Sequence, residues 1–187
     1  MSDFRIVVIG CSAGGLHALQ VLLGGLPAGF RLPVVLVQHR SRDSDGALTE
    51  ALQRSSALPV SEPEDKSPIE PGHVYLAPAD YHLLIEGDEL SLSVDEPVLY
   101  SRPSIDVTFE SAAASLGAAV IGVVLTGANN DGTRGITAIR ASGGFTIAED
   151  PASADSATMP ASAVAGGSID RVLRIERIAP LLVELAR

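Results

Sequence analysis

The feature that most constrains the fold of this chain is a set of short, continuous apolar runs. These runs end in glycine or a polar residue and lead into helical patterns. The runs at 4–9, 34–37 and 119–125 lack polar alternation, so each predicts a strand buried on both faces. Leucines at helical spacing follow the first run, between positions 16 and 23. Continuous apolar strands that alternate with helices predict an α/β fold: a doubly wound, mostly parallel sheet with helices on both faces.

The middle of the chain follows a different pattern. Two segments, 81–86 and 89–94, flank Gly87 and Asp88, and glycine at the first position of a two-residue loop favours a tight hairpin. We expect this antiparallel hairpin at one edge of the parallel sheet. No internal repeat, low-complexity tract or linker interrupts the sequence, which therefore predicts a single domain over 1–187.

The second half returns to the α/β pattern after a stretch, 95–103, that predicts a long mobile loop. Ser104 is placed to cap a helix that runs to about residue 116. A further helix is predicted at 133–141, followed by a strand at 145–148. The α/β pattern therefore extends over the whole chain apart from its middle section.

Composition excludes several classes of protein. Hydrophobic residues make up 46% of the chain, enough for a sizeable core and too many for a mainly disordered protein. No apolar run approaches the ~20 residues that cross a bilayer and no secretory signal is visible, so we expect a cytoplasmic protein without membrane insertion. The net charge of −10 argues against nucleic acid as the partner. A single cysteine excludes an internal disulfide framework and a multi-cysteine zinc site.

The first candidate for chemistry is Ser12, in a G-x-S-x-G motif at 10–14 between the first strand and the first helix. A sharp turn there exposes the serine oxygen, and helix N-terminal N–H groups can face an oxyanion. A serine that merely caps the helix is the alternative. A dinucleotide-binding fingerprint is less favoured, because position 12 is not glycine and the second strand ends in Gln38 and His39 without an acidic residue. The neighbouring Cys11 is expected to be a small buried hydrophobe rather than a reactive thiol.

Two further polar residues are predicted to reach the same edge of the sheet. His39 follows the second strand directly, and Asp131 follows the strand at 119–125. Since parallel strands end at one edge, Ser12, His39 and Asp131 are expected to converge there as nucleophile, general base and orienting acid. Taken singly, the histidine and the Asp-Gly pair would be ordinary loop features. The order Ser, His, Asp differs from that of α/β-hydrolases, so a different fold is expected.

Several separate stretches of the sequence also match a known pattern in order and spacing. They are Ile9-Gly10-Cys11-Ser12-Ala13-Gly14-Gly15, Val37-Gln38-His39, Pro71-Gly72-His73-Val74-Tyr75-Leu76-Ala77-Pro78, Arg102-Pro103-Ser104-Ile105-Asp106-Val107, Leu125-Thr126-Gly127 and Asp131-Gly132. Through them the chain resembles the catalytic domain of the CheB-type chemotaxis protein-glutamate methylesterases, over nearly its whole length.

The resemblance implies a serine hydrolase that removes methyl groups from γ-glutamyl methyl esters on the cytoplasmic helices of chemoreceptors; family members also deamidate receptor glutamines. By motif, the family's triad falls on Ser12, His39 and Asp131, which would work through an acyl-enzyme and release methanol. The resemblance further implies no metal and no cofactor. The family enzyme usually carries a receiver domain before the catalytic one, and this sequence does not include it. A free-standing domain with a response-regulator partner in trans and a fragment of a longer protein are the two alternatives. The residues implied for the oxyanion hole and substrate binding are Ala13, Gly14, Ala128, Asn129 and Arg102.

The chain departs from the family pattern in two places near the expected site. Ala128 and Asn129 replace the usual methionine and glycine of the acid loop, and Ala13 replaces a common threonine. These departures motivate a second hypothesis, a catalytically weak CheB-like module with a binding or regulatory role. A third hypothesis is an esterase that acts on an acyl substrate other than a chemoreceptor.

Overall fold

Strands and helices alternate along most of the chain in the computed structural model, which describes residues 4–187. A 3-10 turn at Gly117–Ala119 leads into the eighth strand. The elements in chain order are β1 (Ile6–Cys11), α1 (Gly15–Gly24), β2 (Val34–Gln38), α2 (Ala47–Gln53), β3 (Val60–Ser61), β4 (Ser67–Pro68), β5 (Val74–Leu76), β6 (His82–Glu86), β7 (Glu89–Ser93), α3 (Ile105–Leu116), β8 (Val120–Val124), α4 (Thr133–Ala141), β9 (Phe145–Glu149), α5 (Thr158–Ala165), β10 (Arg171–Leu173) and α6 (Ile175–Leu185).

Seven of the strands form one parallel sheet in the order β10-β9-β8-β1-β2-β5-β3. β1 lies at its centre, where Ile9 pairs with Leu36 of β2 on one side and with Val123 of β8 on the other. The three central strands are therefore the three that the longest apolar runs predicted. This arrangement confirms the mostly parallel, doubly wound sheet.

Both faces of this sheet are covered, because alternate residues of β1 enter two separate buried clusters. Val7 and Ile9 belong to a cluster that contains the apolar faces of α1 and α6. Ile6 and Val8 belong to a second cluster with α3, α4 and α5. Each fully buried aliphatic side chain contributes about 1.5–3 kcal/mol to folding, so both faces of the strand stabilise the layered arrangement. The prediction of helices on both faces is confirmed.

The predicted hairpin exists, but it does not extend the parallel sheet. β6 and β7 pair antiparallel across Gly87 and join β4 in a separate three-stranded sheet. The edge beside β5 is already occupied by the two-residue strand β3. The apolar face of the hairpin, with Leu83, Ile85 and Leu90, packs in the same cluster as Phe109 of α3. Burial against α3 therefore decides where the hairpin lies.

The order β8-β1-β2 determines which loops meet at the carboxyl edge of the sheet. The loops that leave these three neighbouring strands begin at residues 125, 12 and 39. In parallel α/β sheets this edge is where ligands bind. No helix in the described part of the chain is long and apolar enough to span a membrane.

Candidate active site

The three residues expected to converge do lie at the ends of adjacent strands. Ser12 follows β1, His39 follows β2, and Asp131 lies in the loop between β8 and α4. His39 Nε2 is 2.7 Å from Asp131 Oδ2, a distance typical of a strong, charge-assisted hydrogen bond. The histidine side chain is 11% exposed and the aspartate side chain is fully buried. One imidazole nitrogen is therefore committed to a buried carboxylate.

The carboxylate of Asp131 lies at the N-terminus of α3. Its Oδ2 accepts the backbone N–H of Ile105 at 2.7 Å, and its Oδ1 accepts the backbone N–H of Asp106 at 2.9 Å and the hydroxyl of Ser104 at 3.0 Å. Burial by itself raises the pKa of Asp131, but the hydrogen bonds from His39, Asp106 and Ile105 outweigh it, so the pKa is lowered overall. The positive end of the helix dipole acts in the same direction. Asp131 is therefore held as an anion against the imidazole.

A second histidine, His82, supports this arrangement through the residue that caps α3. The N–H of Ser104 donates to His82 Nδ1 at 3.2 Å, so Nε2 is the nitrogen that carries the proton and donates to the Glu96 carbonyl at 3.1 Å. Ser104 also caps α3 as predicted, because its hydroxyl accepts the N–H of Val107. His82 thus orients the cap residue that bonds Asp131.

The backbone at Ser12 is held by the neighbouring strand loop. Ser12 N–H donates to the Thr126 carbonyl at 2.9 Å, and Thr126 Oγ1 donates to the Ala13 carbonyl at 2.8 Å. Gly14 follows with φ +81°, a left-handed conformation that favours glycine. At Gly10 a Cβ would lie 2.3 Å from the Ile105 side chain, so α3 approaches the end of β1 closely.

Ser12 and His39 line the same cavity, which has a volume of about 480 Å³. Within residues 4–187, the serine hydroxyl makes no hydrogen bond to a side chain. Because Nε2 of His39 bonds Asp131, Nδ1 is the nitrogen left to meet the hydroxyl. Catalytic hydrogen bonds are often long before substrate binds. The cavity thus contains the two groups that a nucleophile and its base require.

Gln38 joins the nucleophile loop to the histidine loop, a role that sequence analysis did not assign to it. Its side-chain Nε2 donates to the carbonyls of Ser12 at 3.0 Å and of His39 at 2.9 Å. Its Oε1 accepts from Cys11 Sγ at 3.1 Å. A polar residue that ends a fully apolar strand directly before His39 was the available signal. Gln38 therefore fixes the relative position of the two loops.

Cys11 is fully buried, as predicted. Burial raises the pKa of its thiol, and the nearby Glu149 carboxylate raises it further. A thiol with a raised pKa is a poor nucleophile. Cys11 is therefore a packing residue under the loop of Ser12.

Backbone N–H donors without an acceptor directly follow Ser12 in the chain. Among the described residues, the N–H groups of Ala13 and Gly14 have no hydrogen-bond acceptor. Ala128 is exposed in the loop that precedes Asp131, and the Asn129 side chain turns back to accept the Asp131 N–H at 3.0 Å. The side chain of Asn129 therefore shapes the acid loop, while the backbone at Ala13 and Gly14 has donors to offer a ligand.

The resemblance implies that Arg102 binds substrate, but its guanidinium is hydrogen-bonded to neighbouring groups of the protein. Its guanidinium donates twice to Asp80, at 2.7 and 3.1 Å, and to the carbonyls of Val94 and Asp95. These bonds tie both ends of the loop predicted to be long and mobile. Arg102 therefore anchors this loop beside His39.

Asp106 is a further buried acid that sequence analysis did not single out. It lies in the first turn of α3, and its Oδ1 accepts the N–H groups of Gly132 at 3.0 Å and Gly135 at 2.8 Å, at the start of α4. Asp131, which precedes α4, accepts N–H groups at the N-terminus of α3. The acid in α3 therefore bonds the start of α4, and the acid before α4 bonds the start of α3. Burial, together with the adjacent Asp131 carboxylate, raises the pKa of Asp106 to about 6, against the opposing effects of the Gly135 N–H and Arg134.

No group of three or more histidine, cysteine, aspartate or glutamate side chains in the described chain is arranged to hold a metal ion. Ser12, His39 and Asp131 bring a hydroxyl, an imidazole and a carboxylate to one edge of the sheet. These are the groups that acyl transfer through a serine requires.

Comparison with known proteins agrees with this geometry. The sequence profile of the family described as CheB methylesterase matches residues 7–182. The chain belongs to the CheB methylesterase family. Its fold superimposes on the crystal structure of the Thermotoga maritima CheB methylesterase catalytic domain with a TM-score of 0.93, at 36% identity over 97% of this chain and 98% of that one. The family and the enzyme class predicted from sequence, a methylesterase, are therefore confirmed.

Two relatives differ in the share of their own length that this chain matches. A protein of Leptospira interrogans is 45% identical over 184 residues, which cover 98% of this chain and 95% of that protein. A protein-glutamate methylesterase/protein-glutamine glutaminase of Pseudomonas aeruginosa is 38% identical over 190 residues, which cover all of this chain and 54% of that protein. The chain thus spans nearly the whole of one CheB relative and about half of the other.

Proposed function

We propose that this chain is a protein-glutamate methylesterase that hydrolyses γ-glutamyl methyl esters on the cytoplasmic helices of chemoreceptors. Ser12 is the nucleophile, His39 the general base and Asp131 the residue that orients and charges the base. The observation that carries the proposal is the 2.7 Å bond between His39 and a buried carboxylate that three other groups also bond, with Ser12 on the same cavity.

The first half of the reaction forms an ester with the enzyme. As Ser12 Oγ attacks the ester carbonyl carbon, its proton passes to His39 Nδ1, and the new imidazolium is stabilised by Asp131. The N–H groups of Ala13 and Gly14, which have no acceptor in the described chain, donate to the carbonyl oxygen as it becomes negative. When the tetrahedral intermediate collapses, the methoxy oxygen takes the proton from Nδ1 and leaves as methanol.

The second half regenerates the enzyme. Water gives a proton to Nδ1 of His39 and attacks the acyl carbon, and Ser12 Oγ leaves with that proton. The product is a glutamate side chain. A glutamine side chain undergoes the same sequence with ammonia as the leaving group, which makes protein-glutamine deamidation the second activity that this site supports.

The experiment is methanol release from a methylated receptor fragment by the wild type, Ser12→Ala and Ser142→Ala. Ser142 is an exposed serine at the end of α4, far from the cavity in the fold, and serves as the matched control. We expect wild type and Ser142→Ala to release methanol at equal rates and Ser12→Ala to release almost none. Equal release by all three proteins would refute the role of Ser12.

The same experiment separates the competing hypotheses. A catalytically weak module, suggested by Ala128 and Asn129 in the acid loop, would bind the fragment without releasing methanol. An esterase for another acyl substrate would hydrolyse small glutamate methyl esters in a Ser12-dependent way and leave the receptor fragment unchanged.

A further inference from the structure

Arg40, directly after His39, has two hydrogen-bond donors without acceptors in the interior. Its side chain is 5% exposed, and its Nη2 donates to Glu62 Oε1 and to the Ala77 carbonyl, both at 2.8 Å. Its Nε and Nη1 are buried and have no partner in the described chain. Buried donors are almost always satisfied, so an unsatisfied pair beside a reactive histidine calls for an explanation.

The position of Arg40 suggests that a bound molecule supplies the missing acceptor. Arg40 lines both cavities that flank His39: the one it shares with Ser12, and a second one of about 290 Å³ on the other side. A guanidinium next to a reaction centre favours an oxygen acceptor, above all a carboxylate.

The second cavity is positive in a chain whose net charge is −10. It is lined by Arg40, Arg42 and Arg102, and Asp80 is the acidic residue in its wall. Arg42 is 66% exposed and lies 3.7 Å from Asp80, so most of its guanidinium faces solvent. Because Arg40 pairs with Glu62 and Arg102 pairs with Asp80, the exposed guanidinium of Arg42 is the positive charge that remains for a negative group.

The lip of this cavity suits a protein segment better than a free ion. Tyr100 also lines the cavity, and its side chain is fully exposed at the tip of a turn closed by the Val98–Ser101 bridge. Leu99 beside it is half exposed. Both residues have left-handed backbone conformations, φ 47° and 63°, which such side chains rarely adopt. The loop thus presents an apolar tip next to the positive cavity, a combination that suits an acidic peptide.

We propose that the cavity lined by Arg40 and Arg42 binds a carboxylate of the substrate protein close to the esterified glutamate. This inference rests on the proposed function and adds a rule for the choice of ester. The carboxylate accepts from the free donors of Arg40 and neutralises the excess charge of the wall, while Tyr100 contacts the apolar surface of the same segment. Esters with an acidic neighbour are therefore hydrolysed in preference to esters without one.

The test compares two helical peptides that each contain one glutamate γ-methyl ester. One carries a glutamate one helical turn from the ester and the other carries a glutamine there. We expect the wild type to show a kcat/KM about tenfold higher for the acidic peptide, the factor that corresponds to 1.4 kcal/mol. Arg40→Gln and Arg42→Gln should bring the ratio close to one. Arg54 is an exposed arginine at the end of α2 that pairs with Glu50. Arg54→Gln should leave the ratio of the two kcat/KM values unchanged.

Arg42→Gln makes the test independent of folding, because the Arg42 side chain is mostly exposed whereas the Arg40 side chain is buried and bonds Glu62. A ratio near one in the wild type, or a ratio that survives in both the Arg40 and Arg42 variants, overturns the proposal. If neither peptide is hydrolysed, the proposed function fails on its own. Peptide binding to Ser12→Ala, measured by fluorescence anisotropy, then decides this inference: tighter binding of the acidic peptide supports it and equal affinity refutes it.

Discussion

Replacing Asp131 by asparagine tests how the buried carboxylate supports both the fold and the base. Each carboxylate oxygen accepts from two donors: Oδ2 from His39 and the Ile105 N–H, and Oδ1 from Ser104 and the Asp106 N–H. Asparagine puts an NH₂ group in place of one oxygen, so two donors lose their acceptor. The hydroxyl of Ser104 can rotate and accept, so the NH₂ should replace Oδ1.

The magnitude follows from that orientation. The Asp106 N–H stays buried without an acceptor, which costs about 1–3 kcal/mol. The negative charge at the N-terminus of α3 is also lost, which costs about 0.3–2 kcal/mol more. The free energy of unfolding should therefore fall by about 1–5 kcal/mol. Since the imidazolium loses its counter-charge, kcat should fall by about 10³- to 10⁴-fold.

Urea unfolding followed by circular dichroism measures the first quantity and methanol release measures the second. Asp43→Asn, in an exposed loop, is the matched control and should change neither. If Asp131→Asn kept both the unfolding free energy and kcat within the range of Asp43→Asn, the reasoning about this carboxylate would be refuted.

Three further substitutions test other parts of the arrangement. Gly10→Ala should lower the unfolding free energy by about 1–3 kcal/mol, since its Cβ would lie 2.3 Å from Ile105, whereas Gly24→Ala has room; similar urea midpoints would contradict this. Gln38→Leu should lower kcat by about tenfold in the methanol assay, because the loops after β1 and β2 lose their shared donor; an unchanged kcat would contradict this. Burial is the main cause that raises the pKa of Asp106 from 3.8 to about 6, so the contribution of Asp106 to wild-type stability falls as pH rises through that range. Relative to wild type, Asp106→Asn should gain roughly 3 kcal/mol in unfolding free energy between pH 3 and 8, at about 1.36 kcal/mol per pKa unit, and a constant difference would exclude this effect.

The elements that sequence predicted well are those with a strong local signal. The apolar runs gave the three central strands, and the predicted helix at 133–141 coincides with α4 (Thr133–Ala141). Strands β3 and β4 were missed because each has two residues, too few for a periodic pattern. The place of the hairpin was missed for a related reason: burial against α3, a tertiary contact, decides it.

The residues of the candidate site divide in the same way. Ser12, His39 and Asp131 could be placed from sequence because a parallel sheet brings the ends of its strands to one edge. Their supports could not, because Gln38 bonds a residue 26 positions away and Arg40 bonds one 37 positions away. Spacing along the chain carries no information about such partners.

The most direct test of the central claim is covalent labelling with a serine-directed phosphonate, located by mass spectrometry of the digested protein. We expect one phosphonate per chain, on Ser12, lost in Ser12→Ala and strongly slowed in His39→Gln, which has no base to take the serine proton. A wild-type protein that stays unlabelled, or a label on another residue that persists in Ser12→Ala, would contradict the account.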